Sequence, residues 1–178
     1  DHMQFDHLEI VRIAIEAGVS IMDIYESSGQ IEVQSKDDDS PLTKADIAAH
    51  KIIIRGLATI DPEVPVVSEE GRVGDPKQSE LAWLVDPLDG TKEFIKRNGM
   101  FTVNIALMKR MNASWKPIFG VVHAPVNRTT WYGGVDVPAT KITDAETSEI
   151  SVRKQTNAQT RLVASGSHRA ELDEKFAK

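Results

Sequence analysis

Apolar residues recur every three or four positions in two stretches near the N-terminus, and this spacing predicts two helices. The first covers residues 6–27, where additional isoleucines and alanines widen the apolar stripe into a face that can be buried. The second is predicted to begin near Thr43, which can cap it after Pro41, and to end near Ala58. The first third of the chain is therefore expected to be mainly helical.

After the second helix the apolar period becomes strand-like. Short apolar runs separated by turn residues predict a series of strands. The predicted strands cover residues 64–67, 81–85, 101–108, 117–123, 129–132 and 161–164, and a short strand at 31–33 precedes an acidic loop at 36–39. The polar segment 136–149 is predicted to be a loop, and residues 169–178 are predicted to begin a helix. Two helices followed by a mostly antiparallel sheet predict a layered α+β fold.

Composition narrows the possible partners. The 178 residues are 40% apolar and 27% charged, as in a globular domain with a real core, and the net charge is −6. No basic stripe interleaved with aromatic residues is present, so a nucleic-acid polymer is not an expected partner. No apolar run approaches the ~20 residues that span a bilayer. The absence of cysteine excludes disulfides and thiolate metal sites and fits a cytoplasmic protein.

The candidate chemistry lies at the end of a predicted buried strand. That strand delivers Asp86, and Pro87 is expected to stop further ladder pairing, so that Asp86 and Asp89 converge around the carbonyl of Leu88. Two carboxylates and a carbonyl are the hard oxygen ligands that Mg²⁺ prefers. A second strand ends near Glu69, whose carboxylate would complete a two-metal cluster.

The two residues that follow these carboxylates suit a phosphate group. Gly90 allows the backbone to come close to a ligand, and a helix beginning at Thr91 would offer its free N–H groups beside the metals. Other nucleophile schemes find no support, because the sequence has no cysteine, no Gly-x-Ser-x-Gly elbow and no Walker-type glycine loop.

Each of these patterns also has a purely structural interpretation. Asp-Pro-x-Asp-Gly is a good turn sequence, and the pair Glu69 and Glu70 could be solvated surface. Asp46 lies three residues after Thr43 and could complete a capping box. The acidic run 37–39 can be a solvated loop. His50 and His123 lack metal-ligand spacing and can be structural residues.

Taken together, residues 67–70 and 83–91 resemble the signature of the inositol monophosphatase superfamily, a Glu-Glu pair followed by a strand ending in Asp-Pro-(Ile/Leu)-Asp-Gly-Thr. The extension over residues 92–107 and the segment 39–46 resemble a narrower branch, the bacterial 3'(2'),5'-bisphosphate nucleotidases of sulfate assimilation. Inositol phosphatases tend to follow the threonine with Thr-Asn-Phe instead. The resemblance continues, with decreasing specificity, to residues 164–168.

The resemblance implies a layered αβαβα fold and a set of residue roles. Glu69, Asp86 and the Leu88 carbonyl would hold one metal, Asp86 and Asp89 would share a second, and two or three Mg²⁺ ions would be bound in all. Glu69 and Thr91, with Asp46 behind Thr91, would position and activate the attacking water. The substrate would be bound by Glu69, Leu88, Asp89, Gly90 and Thr91, with Ser165, Ser167 and His168 as weaker candidates.

One motif of the superfamily is missing from the sequence. A further metal-binding aspartate comes from a late Trp-Asp-x-Ala-Ala-Gly motif, and every tryptophan of this chain lies before that place. We therefore expect a C-terminal domain that is incomplete and a chain of this length that is inactive. The expected division is a cloning remnant at residues 1–3, an N-terminal α+β metal-binding domain at 4–156 and the start of a C-terminal α/β domain at 157–178.

The function that the resemblance implies is the hydrolysis of adenosine 3',5'-bisphosphate to AMP and phosphate by a metal-activated water. The partner would be a small 3'-phosphonucleotide, Li⁺ would inhibit, and the protein would be cytoplasmic or peripheral on the cytoplasmic face of the inner membrane. An inositol-phosphate or sugar-phosphate phosphatase with the same site is the enzymatic alternative. A non-catalytic module that only binds divalent metal is the alternative of another class.

Overall fold

The computed structural model describes residues 5–28, 40–154 and 163. Within them the helices are α1 His7–Ser27, α2 Pro41–Ile60 and α3 Thr91–Lys96, with a short 3-10 turn at Pro76–Gln78. The strands of the described part are β1 Val66–Ser68, β2 Gly71–Val73, β3 Leu81–Asp89, β4 Thr102–Met111, β5 Ser114–Ala124, β6 Thr129–Gly134, β7 Val137–Ile142 and β8 Thr147–Glu149. The predicted order of two helices followed by a sheet is confirmed.

All of these strands belong to one sheet, in the order β2-β1-β3-β4-β5-β6-β7-β8. The pair β1 and β3 is parallel, and every other neighbouring pair is antiparallel. From β3 onward the sheet is a meander in which each strand follows its neighbour in the chain. The single parallel pair matters for the site, because it brings the C-terminal ends of β1 and β3 to the same edge of the sheet.

The helices α1 and α2 pack against each other and cover one face of this sheet. That face carries the alternate strand residues Trp83 and Val85 on β3 and Val103, Ile105 and Leu107 on β4, all of them buried. The period of two in the strands thus separates a helix-covered face from a second face. The second face carries Leu84, which is 50% exposed.

Both long helices begin at a capping side chain. The Asp6 carboxylate accepts a hydrogen bond from the Leu8 N–H at 3.0 Å at the start of α1. At the start of α2 the cap is Ser40, whose hydroxyl accepts from the Thr43 N–H at 3.2 Å. The prediction of Thr43 as the cap is therefore wrong by three residues. Pro41 is the reason, since its fixed φ and missing N–H suit the first helical position after Ser40.

This shift of the cap also removes the structural interpretation of Asp46 as a capping-box residue. The reciprocal partner in a capping box lies three residues after the cap, and that position is held by Thr43 when Ser40 is the cap. Asp46 lies one turn further into α2, and only 3% of its surface is exposed. Its burial therefore needs another explanation.

The segment 136–149 was predicted to be a loop, and this prediction is wrong. It forms β7 and β8, which extend the sheet beyond β6. Thr140 is registered opposite Tyr132, and its side chain is buried. Polar composition conceals these strands, because a strand at the edge of a sheet is held by backbone hydrogen bonds and needs little apolar surface.

His123, on the helix-covered face of β5, is a buried structural residue. Its Nδ1 lies 2.8 Å from the Thr130 hydroxyl, and its ring lies so close to Gly18 of α1 that a Cβ there would be 2.5 Å from the imidazole. Burial lowers the pKa of His123 to about 4. The structural interpretation of this histidine is confirmed.

We expect His123 to make the protein less stable in acid. Because its pKa is lower in the folded than in the unfolded state, stability is lost as the pH falls from about 6.5 to 4, by roughly 2–3 kcal/mol. Urea unfolding of His123→Gln against the wild type at several pH values should show a difference that changes across this window. Gly56→Ala, which crowds Ile13 without touching a titratable group, should differ from the wild type by a constant amount.

Several predicted features lie outside the described residues. These are the strand at 31–33, the strand at 161–164 apart from the exposed Val163, the acidic run 36–39, the helix at 169–178, the division at 156/157, and Ser165, Ser167 and His168. None of the described helices combines the length with the apolar character that a membrane-spanning segment requires.

Candidate active site

A tight hairpin and the parallel strand pair bring Glu69 beside Asp86. Ser68 and Gly71 are registered across the β1–β2 hairpin, so Glu69 and Glu70 form its two-residue turn. Ser68 is also registered with Val85 in the parallel pair, and the Glu69 N–H donates to the Val85 carbonyl at 3.3 Å. Asp86 follows Val85 directly, so the two carboxylates leave neighbouring strands at the same edge.

An irregularity in β3 places Asp89 on the same face of the sheet as Asp86. The register pairs Asp86 with Asn104 and Asp89 with Thr102, so two residues of β3 lie opposite one residue of β4. In a regular strand, residues three apart face opposite sides, and the extra residue reverses this parity. The Asp89 Oδ2 accordingly accepts a hydrogen bond at 2.9 Å from Asn104, the residue registered opposite Asp86.

The predicted effect of Pro87 on the strand is only partly correct. Pairing with β4 is interrupted at Pro87 and Leu88, as expected, but it resumes at Asp89. The side chains of Pro87 and Leu88 are both buried. Core packing of these two residues therefore fixes the bulge that turns both carboxylates to one side.

The negative charges of neighbouring carboxylates repel one another around Asp86. Burial is the largest cause that raises the pKa of Asp86, to about 6, and the charges of Glu69, Asp89 and Glu70 raise it further. A hydrogen bond from the backbone N–H of Leu88 to the Asp86 carboxylate acts in the opposite direction. The site thus favours any species that brings positive charge to Asp86.

One oxygen of Asp86 has no hydrogen-bond partner. The Oδ1 atom is buried, and in the described part of the chain it shares this condition only with the indole N–H of Trp83. An unpaired buried carboxylate oxygen is costly and calls for an explanation. Oxygen donors of this kind, surrounded by further carboxylates, fit a hard divalent cation such as Mg²⁺.

The carboxylates do not form a ready-made metal cage. Among residues 5–28, 40–154 and 163, no three His, Cys, Asp or Glu side chains are arranged as a metal site. Asp89, one of the predicted ligands, accepts a hydrogen bond from Asn104. The metal roles of Glu69, Asp86, Leu88 and Asp89 stay predictions that rest on donor chemistry and proximity.

Gly90 joins the carboxylate bulge to α3 and must be glycine. Its φ is 95°, in the left-handed region, and a Cβ would lie 3.3 Å from the Met100 carbonyl oxygen and from the Phe101 Cα. Gly90 is the N-cap of α3, and no side chain caps that helix end. The predicted helix start at Thr91 is confirmed, and its first N–H groups lie next to Asp89 in the chain.

Aromatic packing holds α3 in place. Phe94 of α3 is buried against Tyr25 of α1 and Phe101, with ring centroids 5.2 Å from each. The Arg97 guanidinium, just after α3, stacks over the Tyr25 ring at 4.0 Å. A six-residue helix has little stability of its own, so these contacts fix the position of Gly90 and Thr91.

Two further polar residues lie on α2, a helix that contacts both β3 and α3. The first is Asp46, which is buried. His50, one turn later, has its Nδ1 3.1 Å from the Ser68 hydroxyl, and that hydroxyl accepts from the Glu70 N–H at 3.3 Å. In the sequence His50 is a lone histidine, whereas in the structure its contact with Ser68 supports the turn that carries Glu69.

A cavity of about 440 Å³ opens on the sheet face that the helices leave uncovered. Polar groups of Glu69, Asp86 and Asn104 line one part of it, and the apolar side chains of the neighbouring strand positions line the rest. Asn104 was missed by the sequence analysis. The available signal was a polar residue in the strand run Phe-Thr-Val-Asn-Ile-Ala-Leu, where its neighbours alternate toward the core.

The chain is similar in sequence to proteins of a known family. A profile described as the inositol monophosphatase family matches residues 6–177. The chain is 50% identical over 130 residues to the 3'(2'),5'-bisphosphate nucleotidase CysQ of Salmonella typhimurium, covering 70% of this chain and 50% of the relative. It is 49% identical over 149 residues to the protein of that name from Escherichia coli K12, covering 83% and 56%. The chain thus spans about half the length of these curated relatives.

The fold agrees with these sequence matches. The crystal structure of CysQ from Bacteroides thetaiotaomicron, a bacterial member of the inositol monophosphatase family, superposes on this chain with a TM-score of 0.72 at 34% identity. The match covers 96% of this chain and 66% of that one. The layered arrangement of helices on a mixed sheet is therefore the one predicted from the resemblance. The chain belongs to the inositol monophosphatase family.

Proposed function

We propose that the protein is a Mg²⁺-dependent phosphomonoesterase that removes the 3'-phosphate of adenosine 3',5'-bisphosphate, giving AMP and phosphate. The observation that carries this proposal is the placement of Asp86 and Asp89 on one face, beside Glu69 and next to the left-handed Gly90. The identity of about 50% to proteins named 3'(2'),5'-bisphosphate nucleotidase supports this substrate class over inositol phosphates.

The metal would be held by Glu69, Asp86, Asp89 and the carbonyl of Leu88. Mg²⁺, when bound, would neutralise charge on the phosphoryl group and lower the pKa of a water. The unpaired Oδ1 of Asp86 is the atom most in need of such a partner. The raised pKa of Asp86 reflects the same unsatisfied negative charge.

The remaining roles belong to the chain's own polar groups. The backbone N–H groups of Gly90 and Thr91 would donate to the scissile phosphate, since no side chain caps this helix end. The Thr91 hydroxyl and Glu69 would position the water for attack on phosphorus, with Asp46 supporting Thr91 from α2. The water oxygen would remain on the released phosphate, and the ribose 3'-oxygen would leave with a proton. Ser165, Ser167 and His168 stay candidates for nucleotide contacts.

A phosphate-release assay across four substrates, run on this chain and on a version as long as its relatives, tests the proposal. Adenosine 3',5'-bisphosphate and its 2',5' isomer should be hydrolysed with Mg²⁺, and excess chelator should abolish the reaction. Inositol 1-phosphate and fructose 1,6-bisphosphate should react at least tenfold more slowly. A preference for inositol 1-phosphate or fructose 1,6-bisphosphate would favour the enzymatic alternative, an inositol-phosphate or sugar-phosphate phosphatase. Metal binding without turnover of any substrate would favour the non-catalytic module.

The place of action stays a prediction. The cytoplasm is proposed from the absence of cysteine together with a phosphonucleotide substrate. Among the described residues we find no support for the peripheral membrane association that the resemblance implied.

A further inference from the structure

A chain of two hydrogen bonds ends on the Asp89 carboxylate. The Thr102 hydroxyl donates to the Asn104 Oδ1 at 2.9 Å, and the Asn104 Nδ2 donates to the Asp89 Oδ2 at 2.9 Å. Thr102 and Asn104 are two residues apart on β4, so both face the side of the sheet that carries the carboxylates. Neither residue has an assigned role in the proposed reaction.

Thr102 restrains the Asn104 amide in the orientation that the Asp89 carboxylate requires. A carboxylate only accepts hydrogen bonds, so the NH₂ group of Asn104 must point toward Asp89. The amide oxygen is then directed away from Asp89, and the Thr102 hydroxyl satisfies it there. Reversing the amide would bring its oxygen against the carboxylate oxygen, so the carboxylate sets the direction of the amide. The threonine satisfies the amide oxygen in that orientation and thereby restrains the asparagine side chain.

Asn104 lies on β4 directly beside the bulge of β3 that carries Asp86 and Asp89. It is registered opposite Asp86, and its neighbour Thr102 is registered opposite Asp89, so it lies across from the irregular segment. Asp89 is exposed, and its negative charge and that of Asp86 repel each other. A donor at this position opposes that repulsion. A neutral amide does so without cancelling the negative charge that a cation requires.

We propose that Asn104 is a positioning residue for Asp89. Its amide engages one carboxylate oxygen and thereby orients the other toward the site shared with Asp86, and Thr102 restrains the amide. This inference rests on the proposed function for the identity of the bound ion, a divalent cation. Groups that orient a ligating carboxylate typically contribute 10–100-fold to metal affinity.

Calorimetric titration with Mn²⁺ alone tests the proposal without using turnover. Asn104→Leu, which keeps the approximate size and removes the donor, should weaken Mn²⁺ binding 10–100-fold. Thr102→Val should weaken it several-fold, because the amide oxygen loses its hydrogen bond and the Asn104 side chain is less restrained. Thr102→Ser keeps the hydroxyl and should bind like the wild type.

The control is Thr147→Val, the same isosteric loss of a hydroxyl as in Thr102→Val, at an exposed position of β8, four strands away from β4 in the sheet. It should leave Mn²⁺ affinity unchanged. A folded Asn104→Leu protein with wild-type affinity would overturn the proposal, and a lower melting temperature alone would indicate a merely structural asparagine.

The outcome is separable from that of the proposed function. If the wild type binds Mn²⁺ and the two variants weaken it, the positioning role holds even when no nucleotide is hydrolysed. If the wild type hydrolyses the nucleotide but Asn104→Leu binds Mn²⁺ normally, only the positioning role falls. A wild-type protein that binds no divalent cation would overturn both.

Discussion

Replacing Asp86 by asparagine should abolish most of the hydrolytic activity while stabilising the metal-free protein. The first effect follows from the proposed position of Asp86 as a ligand common to the bound metals. Losing it should lower kcat/KM by roughly 10²–10⁴-fold, or ~3–5 kcal/mol of transition-state stabilisation. The assay is phosphate release from adenosine 3',5'-bisphosphate at saturating Mg²⁺.

The second effect follows from the raised pKa of Asp86. The pKa of Asp86 is about 6 in the folded protein, whereas an unperturbed aspartate, as in the unfolded chain, has a pKa of 3.8. Folding therefore disfavours the ionised form of Asp86. Stability is therefore lost as the pH rises from about 4 to 6 and stays lower above that window. Because the group is only half-buried, solvent screening reduces the cost to about 1–2 kcal/mol. Asp86→Asn should remove this cost.

The comparison needs a control with the same chemical change. Glu63→Gln, at an exposed position in the turn between α2 and β1, should leave both activity and stability nearly unchanged. Thermal unfolding in chelator at pH 8 measures the gain in Asp86→Asn. Near-wild-type turnover in that variant would contradict the metal role, and a lower melting temperature would contradict the electrostatic account of the cluster.

The sequence was sufficient to predict which residues cluster, because the patterns involved are local. An apolar run ending in Asp86, and a second ending near Glu69, predicted strand ends with carboxylates, and the structure places those ends together. What the sequence could not predict is the side of the sheet on which Asp89 lies. A strict period of two puts Asp86 and Asp89 on opposite faces, and only the bulge at Pro87 and Leu88 reverses this.

Two of the errors depend on a partner strand that the residue pattern does not reveal. The segment 136–149 lacks apolar alternation, and its strands form because β6 offers an edge to pair with. In the sequence Asn104 is a single polar residue within a strand. Its role depends on the bulge in β3, which places the Asp89 Oδ2 2.9 Å from the Asn104 Nδ2. The cap at Ser40, by contrast, was available locally, because Ser-Pro is a helix start with proline in the first position.

Thr91→Ala should lower kcat by about 10²-fold with little change in KM or stability. The Thr91 hydroxyl is proposed to orient the attacking water, and that contact matters mainly in the transition state. If Thr91 instead capped α3, its loss would cost ~1 kcal/mol of stability and leave the kinetics unchanged. The structure argues against capping, because Gly90 is the N-cap and no side chain caps this helix end.

Alanine also has a higher helix propensity than threonine, so the melting temperature of Thr91→Ala should stay within a few degrees of the wild type or rise slightly. Thr91→Ser keeps a hydroxyl at the same position and should retain most of the activity. Steady-state kinetics and a melting curve on the two variants decide between the roles. A stable Thr91→Ala protein with wild-type kcat would leave the water to Glu69 alone, whereas equal losses in both variants would indicate that the threonine methyl group, not the hydroxyl, holds the first turn of α3 in place.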